Sequence, residues 1–163
     1  MTRAIATFAL CLVVLPLSAT PISPEIHKIV LDIGASLGVP RSVSDRLQIE
    51  ESGDPITGEW GYADAIGPVD CYGSQSRGLY QISTRWESYL VGLYYPHPAK
   101  YFDWSNPIDN ATVALGYLSD LHRRLGTWER ALWFYNCGRV TDVPENTQKY
   151  AQRIIDWPEE AVE

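Results

Sequence analysis

The sequence predicts one small domain that is mainly α-helical, and three observations carry the prediction. Its 163 residues are room for one domain. With 45% apolar and 20% charged residues, the chain has enough apolar material for a packed core and is not expected to be disordered. Apolar positions recur at three- and four-residue spacing in several stretches, bounded by capping residues or glycines.

Residues 1–19 read as an export signal. Arg3 supplies a positive start, Ala4 to Leu17 is an uncharged apolar run, and Pro16, Ser18 and Ala19 mark a small-residue cleavage region. The run is shorter than the ~20 residues of a membrane-spanning helix, so no stable membrane insertion is expected after its removal. Residues 20–163 then form the mature domain, expected in the periplasm or cell envelope.

Within that domain Ile26, Ile29, Val30, Ile33 and Leu37 follow Ser23-Pro24-Glu25, a helix start, and Gly38 stops the helix. A second helix begins near Pro40 and runs through Val43 and Leu47 to Glu50-Glu51-Ser52. From Gly53 to Gly78 the residues turn to Gly, Pro, Asp and Ser, which predicts loop or short hairpin. Leu79 to Tyr89 is predicted helical, and Tyr94 to Pro107 is a Pro- and aromatic-rich connection. Ile108, Ala111, Leu115, Leu118, Leu121 and Leu125 make the longest amphipathic stripe, closed by Gly126. Thr127 caps a helix through Ala131-Leu132-Trp133-Phe134 that ends near Gly138, and a last helix covers roughly Thr147 to Ile155.

Charge and cysteine usage narrow the partners. A net charge of −7 and an isoelectric point near 4.9 argue against nucleic acid, whose binders neutralise phosphates with Lys and Arg. The 6 Trp and 10 Tyr, against 3 Phe, favour rings with a polar handle, which suit sugar-binding grooves as well as cores. Cys11 leaves with the export signal, so Cys71 and Cys137 remain as an even pair, and in an oxidising compartment they are candidates for a disulfide. Two separately buried thiols are the bland alternative. His27, His97 and His122 are scattered and no CxxC occurs, so neither a metal site nor a cofactor is expected.

The local chemical signals are individually weak. Glu50-Glu51 ends an apolar-faced helix before a Gly-rich loop, where a half-buried carboxyl becomes a usable general acid. A solvated helix end is the alternative, and helical position does not choose between the two glutamates. Ser76-Arg77-Gly78-Leu79-Tyr80-Gln81 offers a glycine for close backbone approach and an amide for a ligand. Tyr135-Asn136 lines a cleft or merely finishes a helix.

The order of the motifs is more specific. Glu51-Ser52-Gly53 is followed by Gly78-Leu79-Tyr80-Gln81-Ile82, then Asn106-Pro107, Asn110 and Gly116-Tyr117-Leu118. Ala131 to Gly138, with Tyr135-Asn136, and then Asn146-Thr147 and Tyr150 close the series. Over residues 43–155 this resembles the catalytic domain of soluble-type lytic transglycosylases, which are similar in fold to goose-type lysozyme. The resemblance implies a lysozyme-like helical fold with peptidoglycan as partner. It implies Glu51 as the catalytic acid and base, and Ser52, Gln81, Tyr135, Asn136 and Tyr150 as groove residues. Departures are Tyr80 where Met is usual, Cys137 for Ala, Asn146 for Glu, and a long insertion from Gly58 to Gly73 carrying Trp60, Tyr62 and Tyr72.

The reaction so implied needs one carboxylate. Glu51 protonates the glycosidic oxygen between N-acetylmuramic acid and N-acetylglucosamine, the substrate's N-acetyl group supports the oxocarbenium-like state, and closure of the 6-hydroxyl leaves a 1,6-anhydro end. A hydrolytic lysozyme, with water assisted by Asp54, Asp64 or Asp70, is one alternative. A non-catalytic glycan-binding component of a cell-envelope machine is another, and a secretion or envelope complex is a further candidate partner. If the fold brings Gln81 and Tyr135 to one cleft, a Cys71–Cys137 bridge would close a loop of ~66 residues, for which chain entropy gives roughly 4 kcal/mol.

Overall fold

The computed structural model describes residues 21–158; the expected export signal, with Cys11, lies outside them. Among the described residues there are six α-helices and one two-stranded hairpin: α1 (Pro24–Ser36), α2 (Arg41–Ser52), β1 (Ser76–Arg77), β2 (Ile82–Ser83), α3 (Glu87–Tyr94), α4 (Pro107–Leu125), α5 (Trp128–Cys137) and α6 (Glu145–Ile155). A 3₁₀ turn covers Ala99–Tyr101. Five helices pack in a closed circuit, α1 against α4, α4 against α5, α5 against α6, α6 against α2 and α2 back against α1, while α3 covers α4. The expected mainly helical, lysozyme-like architecture is the one found.

The helix ends follow local chemistry. Ser23 Oγ accepts from Ile26 N at 3.3 Å with Pro24 in the first turn, which satisfies a donor the helix itself leaves open. Asn106 Oδ1 accepts from Ile108 N at 2.9 Å, and Thr127 Oγ1 from Arg130 N at 3.2 Å. Gly126 and Gly138 close α4 and α5 at φ of 85° and 73°, a left-handed conformation that costs a glycine nothing.

Helix α2 is the central element, buried from Ser42 through Ile49. On one side Gly34 of α1 lets the backbones close in: a Cβ there would sit 2.2 Å from Ser44 Oγ. Buried polar groups tie α2 to its surroundings, as buried polar groups must be tied. Asp45 accepts from His27 Nε2 of α1 at 2.7 Å and from Trp157 Nε1, just beyond α6, at 2.8 Å. The apolar core around it includes Leu47, Leu79, Leu115, Leu118, Leu132 and Ile154, each at 0% exposure.

The expected helix over Leu79–Tyr89 does not form. Leu79 to Gln81 instead turn the β1–β2 hairpin, and the helix starts only at Glu87. Gly78 at φ 78° and Gln81 at φ 50° are both left-handed, which no α-helix accommodates. Asn110 of α4 selects this turn: its Oδ1 accepts from Tyr80 N at 2.8 Å, and its Nδ2 donates to Arg77 O and Trp104 O at 3.2 and 3.3 Å. A side chain at residue 78 would collide with that amide, at 2.3 Å. The long segment before the hairpin is loop with short bridges, as expected, the last of them pairing Ile66 with Arg77.

Candidate active site

A cleft of about 750 Å³ opens between the end of α2, the hairpin with its preceding loop, and the faces of α3, α4, α5 and α6. Glu51, Gln81, Tyr135, Asn136 and Tyr150 all line it, so five of the residues singled out from sequence meet in one place. Ser52 does not reach the cleft. It is 2% exposed, and its hydroxyl donates to Leu79 O at 2.7 Å, so it pins α2 to the hairpin turn. One residue along a helix is a rotation of about 100°, enough to take Ser52 away from the face that Glu51 presents.

The two adjacent glutamates differ in their partners. Glu50 is clamped: Arg46 Nη2 donates to its Oε1 at 2.6 Å, and Arg153 of α6 donates through Nε at 2.9 Å and Nη2 at 2.6 Å. Glu51 has no basic partner among the described residues and receives one hydrogen bond, from the hydroxyl of Tyr150 to Oε1. Burial raises its pKa to about 7, against the Tyr150 hydrogen bond, which lowers it, while the Glu50 charge raises it further. A carboxyl that holds its proton near neutrality has the pKa a general acid needs. With Oε1 accepting from Tyr150, Oε2 is the oxygen left without a hydrogen-bond partner among the described residues.

The tyrosines fix the surroundings. Tyr135 donates to Tyr80 O at 2.7 Å, joining α5 to the hairpin turn. Burial and then the Glu51 charge push the hydroxyls of Tyr135 and Tyr150 well above the ordinary tyrosine range, so both act as neutral donors. Tyr117 lies beside Tyr135, ring centres 6.0 Å apart, and continues the aromatic wall. Gln81 Nε2 donates to Gly78 O at 2.9 Å and Ala65 O at 3.2 Å, so its amide oxygen is left to the cleft. Asn136 Oδ1 accepts from Thr147 Oγ1 at 2.8 Å, which ties α5 to α6.

Cys71 and Cys137 are both free thiols here. Cys71 sits exposed in the loop, and Cys137 Sγ approaches Arg139 O at 3.7 Å, so the expected bridge is not formed in this structure. Of the three loop aspartates, Asp54 caps the Ile56 and Thr57 amides and Asp70 the Tyr72 and Ser74 amides, while Asp64 is exposed. Among the described residues, no group of three or more His, Cys, Asp and Glu is placed to hold a metal ion, and no helix is long and apolar enough to cross a membrane.

Sequence reasoning missed Arg153 and the cleft aromatics Trp86 and Tyr89. A partial signal existed: Arg46 stands four residues before Glu50 on one helix, the spacing of an ion pair. Nothing local announces Arg153, 103 residues away.

Neither a curated protein nor a solved structure matches the chain. A family model does: the transglycosylase SLT domain matches residues 47–158, from the middle of α2 to just beyond α6, and so includes every residue described above as lining the cleft. The chain belongs to the transglycosylase SLT domain family, whose function is of the lytic transglycosylase, glycan-cleaving type.

Proposed function

We propose that the protein is an exported lytic transglycosylase that cuts the β-1,4 bond between N-acetylmuramic acid and N-acetylglucosamine in peptidoglycan, with Glu51 as the acid and then the base. The observation that carries this reading is the contrast at the end of α2. Glu50 is locked between two arginines, whereas Glu51 faces the cleft with its pKa raised to about 7.

In the first step the Oε2 proton of Glu51 passes to the glycosidic oxygen as the C1–O bond breaks, and the N-acetylglucosamine alcohol departs. The muramoyl C1 is left electron-poor, and the substrate's own acetamido oxygen supplies electron density. In the second step the 6-hydroxyl adds to C1 and gives its proton to the Glu51 carboxylate, which restores the acid and closes the 1,6-anhydro ring. No water is consumed. Tyr150 holds Oε1 and so orients Oε2 through both steps, and the rigid turn at Gln81 supports positioning, the entropic part of catalysis. Of the three loop aspartates only Asp70 lines the cleft, and its Oδ1 already accepts from the Tyr72 and Ser74 amides, which supports closure by the sugar over attack by water.

Mass analysis of products from digested cell walls tests the reading. Muropeptides lighter by one water than their hydrolytic counterparts, and not reducible by borohydride, are expected. Reducing ends alone would assign hydrolysis instead.

A further inference from the structure

The insertion before the hairpin ends in a tight turn. Asp70 Oδ1 accepts from Tyr72 N at 2.8 Å and from Ser74 N at 2.9 Å, with Gly73 left-handed at φ 77°. Asp70 and Ser74 line the cleft, so Tyr72 between them stands at its rim, 73% exposed. Across from it, Arg85 and Trp86 precede α3. The Arg85 guanidinium carbon lies 4.7 Å from the Tyr72 ring centre and 5.4 Å from that of Trp86, which lines the cleft and is 54% exposed. Two exposed rings therefore hold one exposed cation at the mouth of the cleft.

Such contacts use the charge of the guanidinium and leave its N–H donors free. Among the described residues Arg85 makes no ion pair, and none of its side-chain N–H groups donates to a protein acceptor. The basic residues inside the cleft are engaged: Arg153 by Glu50, and Arg124 by Asp120 at 3.1 Å. The protein as a whole is strongly acidic, at −7, which disfavours an acidic polymer unless a local cation receives it.

We propose that Tyr72, Arg85 and Trp86 form an accessory subsite that binds a carboxylate carried by the glycan, with the ring of Trp86 under the sugar's apolar face. The proposal rests on the peptidoglycan reading above. Two carboxylates have this chemistry: the lactyl group of an unsubstituted muramic acid, and the acids of a stem peptide. Either presents two oxygens that match the fork of an arginine.

Binding to the inactive Glu51→Gln protein, measured calorimetrically with three tetrasaccharide probes, tests it. The probes are chitotetraose, an alternating N-acetylglucosamine–muramic acid chain with free lactyl groups, and the same chain bearing stem peptides. Adding Arg85→Gln is expected to weaken binding of a carboxylate-bearing probe about fivefold, a loss that shrinks at high salt, and to leave chitotetraose unchanged. Whichever acidic probe shows the loss identifies the carboxylate. Equal loss on chitotetraose, or no loss on either acidic probe, would overturn the subsite while leaving the peptidoglycan reading intact. Failure of the Glu51→Gln protein to bind any of the three would overturn both.

Discussion

Arg153 grips Glu50 with both arms of its guanidinium, Nε to Oε1 at 2.9 Å and Nη2 to Oε2 at 2.6 Å, and thereby fastens α6 to the end of α2 beside Glu51. The pair neutralises the charge nearest the candidate acid. Arg153→Gln leaves the Glu50 charge less compensated, which favours the proton on Glu51. The descending limb of the activity–pH profile is expected to move to higher pH, with a stability loss of about 1–3 kcal/mol from weakening the pair. A pH–rate series alongside thermal unfolding separates the two effects; an unmoved limb would remove the electrostatic link between Arg153 and Glu51.

Glu51→Gln is expected to abolish muropeptide release and to make the protein more stable above neutrality. The sign follows from the proton: the carboxyl titrates near 4.5 when unfolded and near 7 when folded, so the folded state holds the proton more tightly. The wild-type stability that this affords is complete below pH 4.5 and is lost as pH rises through about 7, a loss the amide escapes. Discounted for the partial exposure of Glu51, the advantage of the variant at about pH 8 is on the order of 2 kcal/mol, fading near pH 5. Unfolding curves at the two pH values check it.

Tyr150→Phe removes the hydrogen bond that lowers the Glu51 pKa. The acid then holds its proton to higher pH, but Oε2 is no longer oriented. The expected result is a descending limb shifted upward together with a maximal rate lower by about tenfold, equivalent to ~1.4 kcal/mol. A pH profile identical in shape and height to wild type would show the bond to be idle.

Helix ends were legible from sequence because their causes are local. Ser23 with Pro24, Thr127, Gly126 and Gly138 each act within one turn of their own position. The segment Gly78-Leu79-Tyr80-Gln81-Ile82 was not, because its apolar run suits a helix as well as a buried turn. What decides is Asn110, 30 residues away, taking the Tyr80 amide. The same distance problem separates the two glutamates. Position on α2 could not rank them, and only the motif resemblance favoured Glu51; the clamp that sets Glu50 apart comes from Arg153, on a helix the chain reaches much later. Ser52 failed in the opposite way, since its place in a motif said nothing about which side of α2 it faces.

Asn110→Ala tests that long-range control of the turn. It leaves the buried Tyr80 amide without its acceptor and opens a gap beside Gly78, at a cost of about 2–4 kcal/mol. For a domain of this size the midpoint is expected to fall by roughly 6–15 °C. Gln81 and the Tyr80 carbonyl that receives Tyr135 lose their fixed positions, so activity at permissive temperature should fall as well. A variant as stable as wild type would mean that the hairpin holds its shape without α4.

The closed circuit of helices also has a consequence for timing. Glu51 is made early and Tyr150 and Arg153 about a hundred residues later, so a chain that has emerged only as far as Gly138 holds the carboxyl without the helix that buries it. In that incomplete chain Glu51 is expected to titrate near the ordinary glutamate value. The proton donor comes into being only when α6 docks. The raised pKa of Glu51 is thus a property of the finished fold, and a chain lacking α6 is expected to carry an ordinary carboxylate at that position.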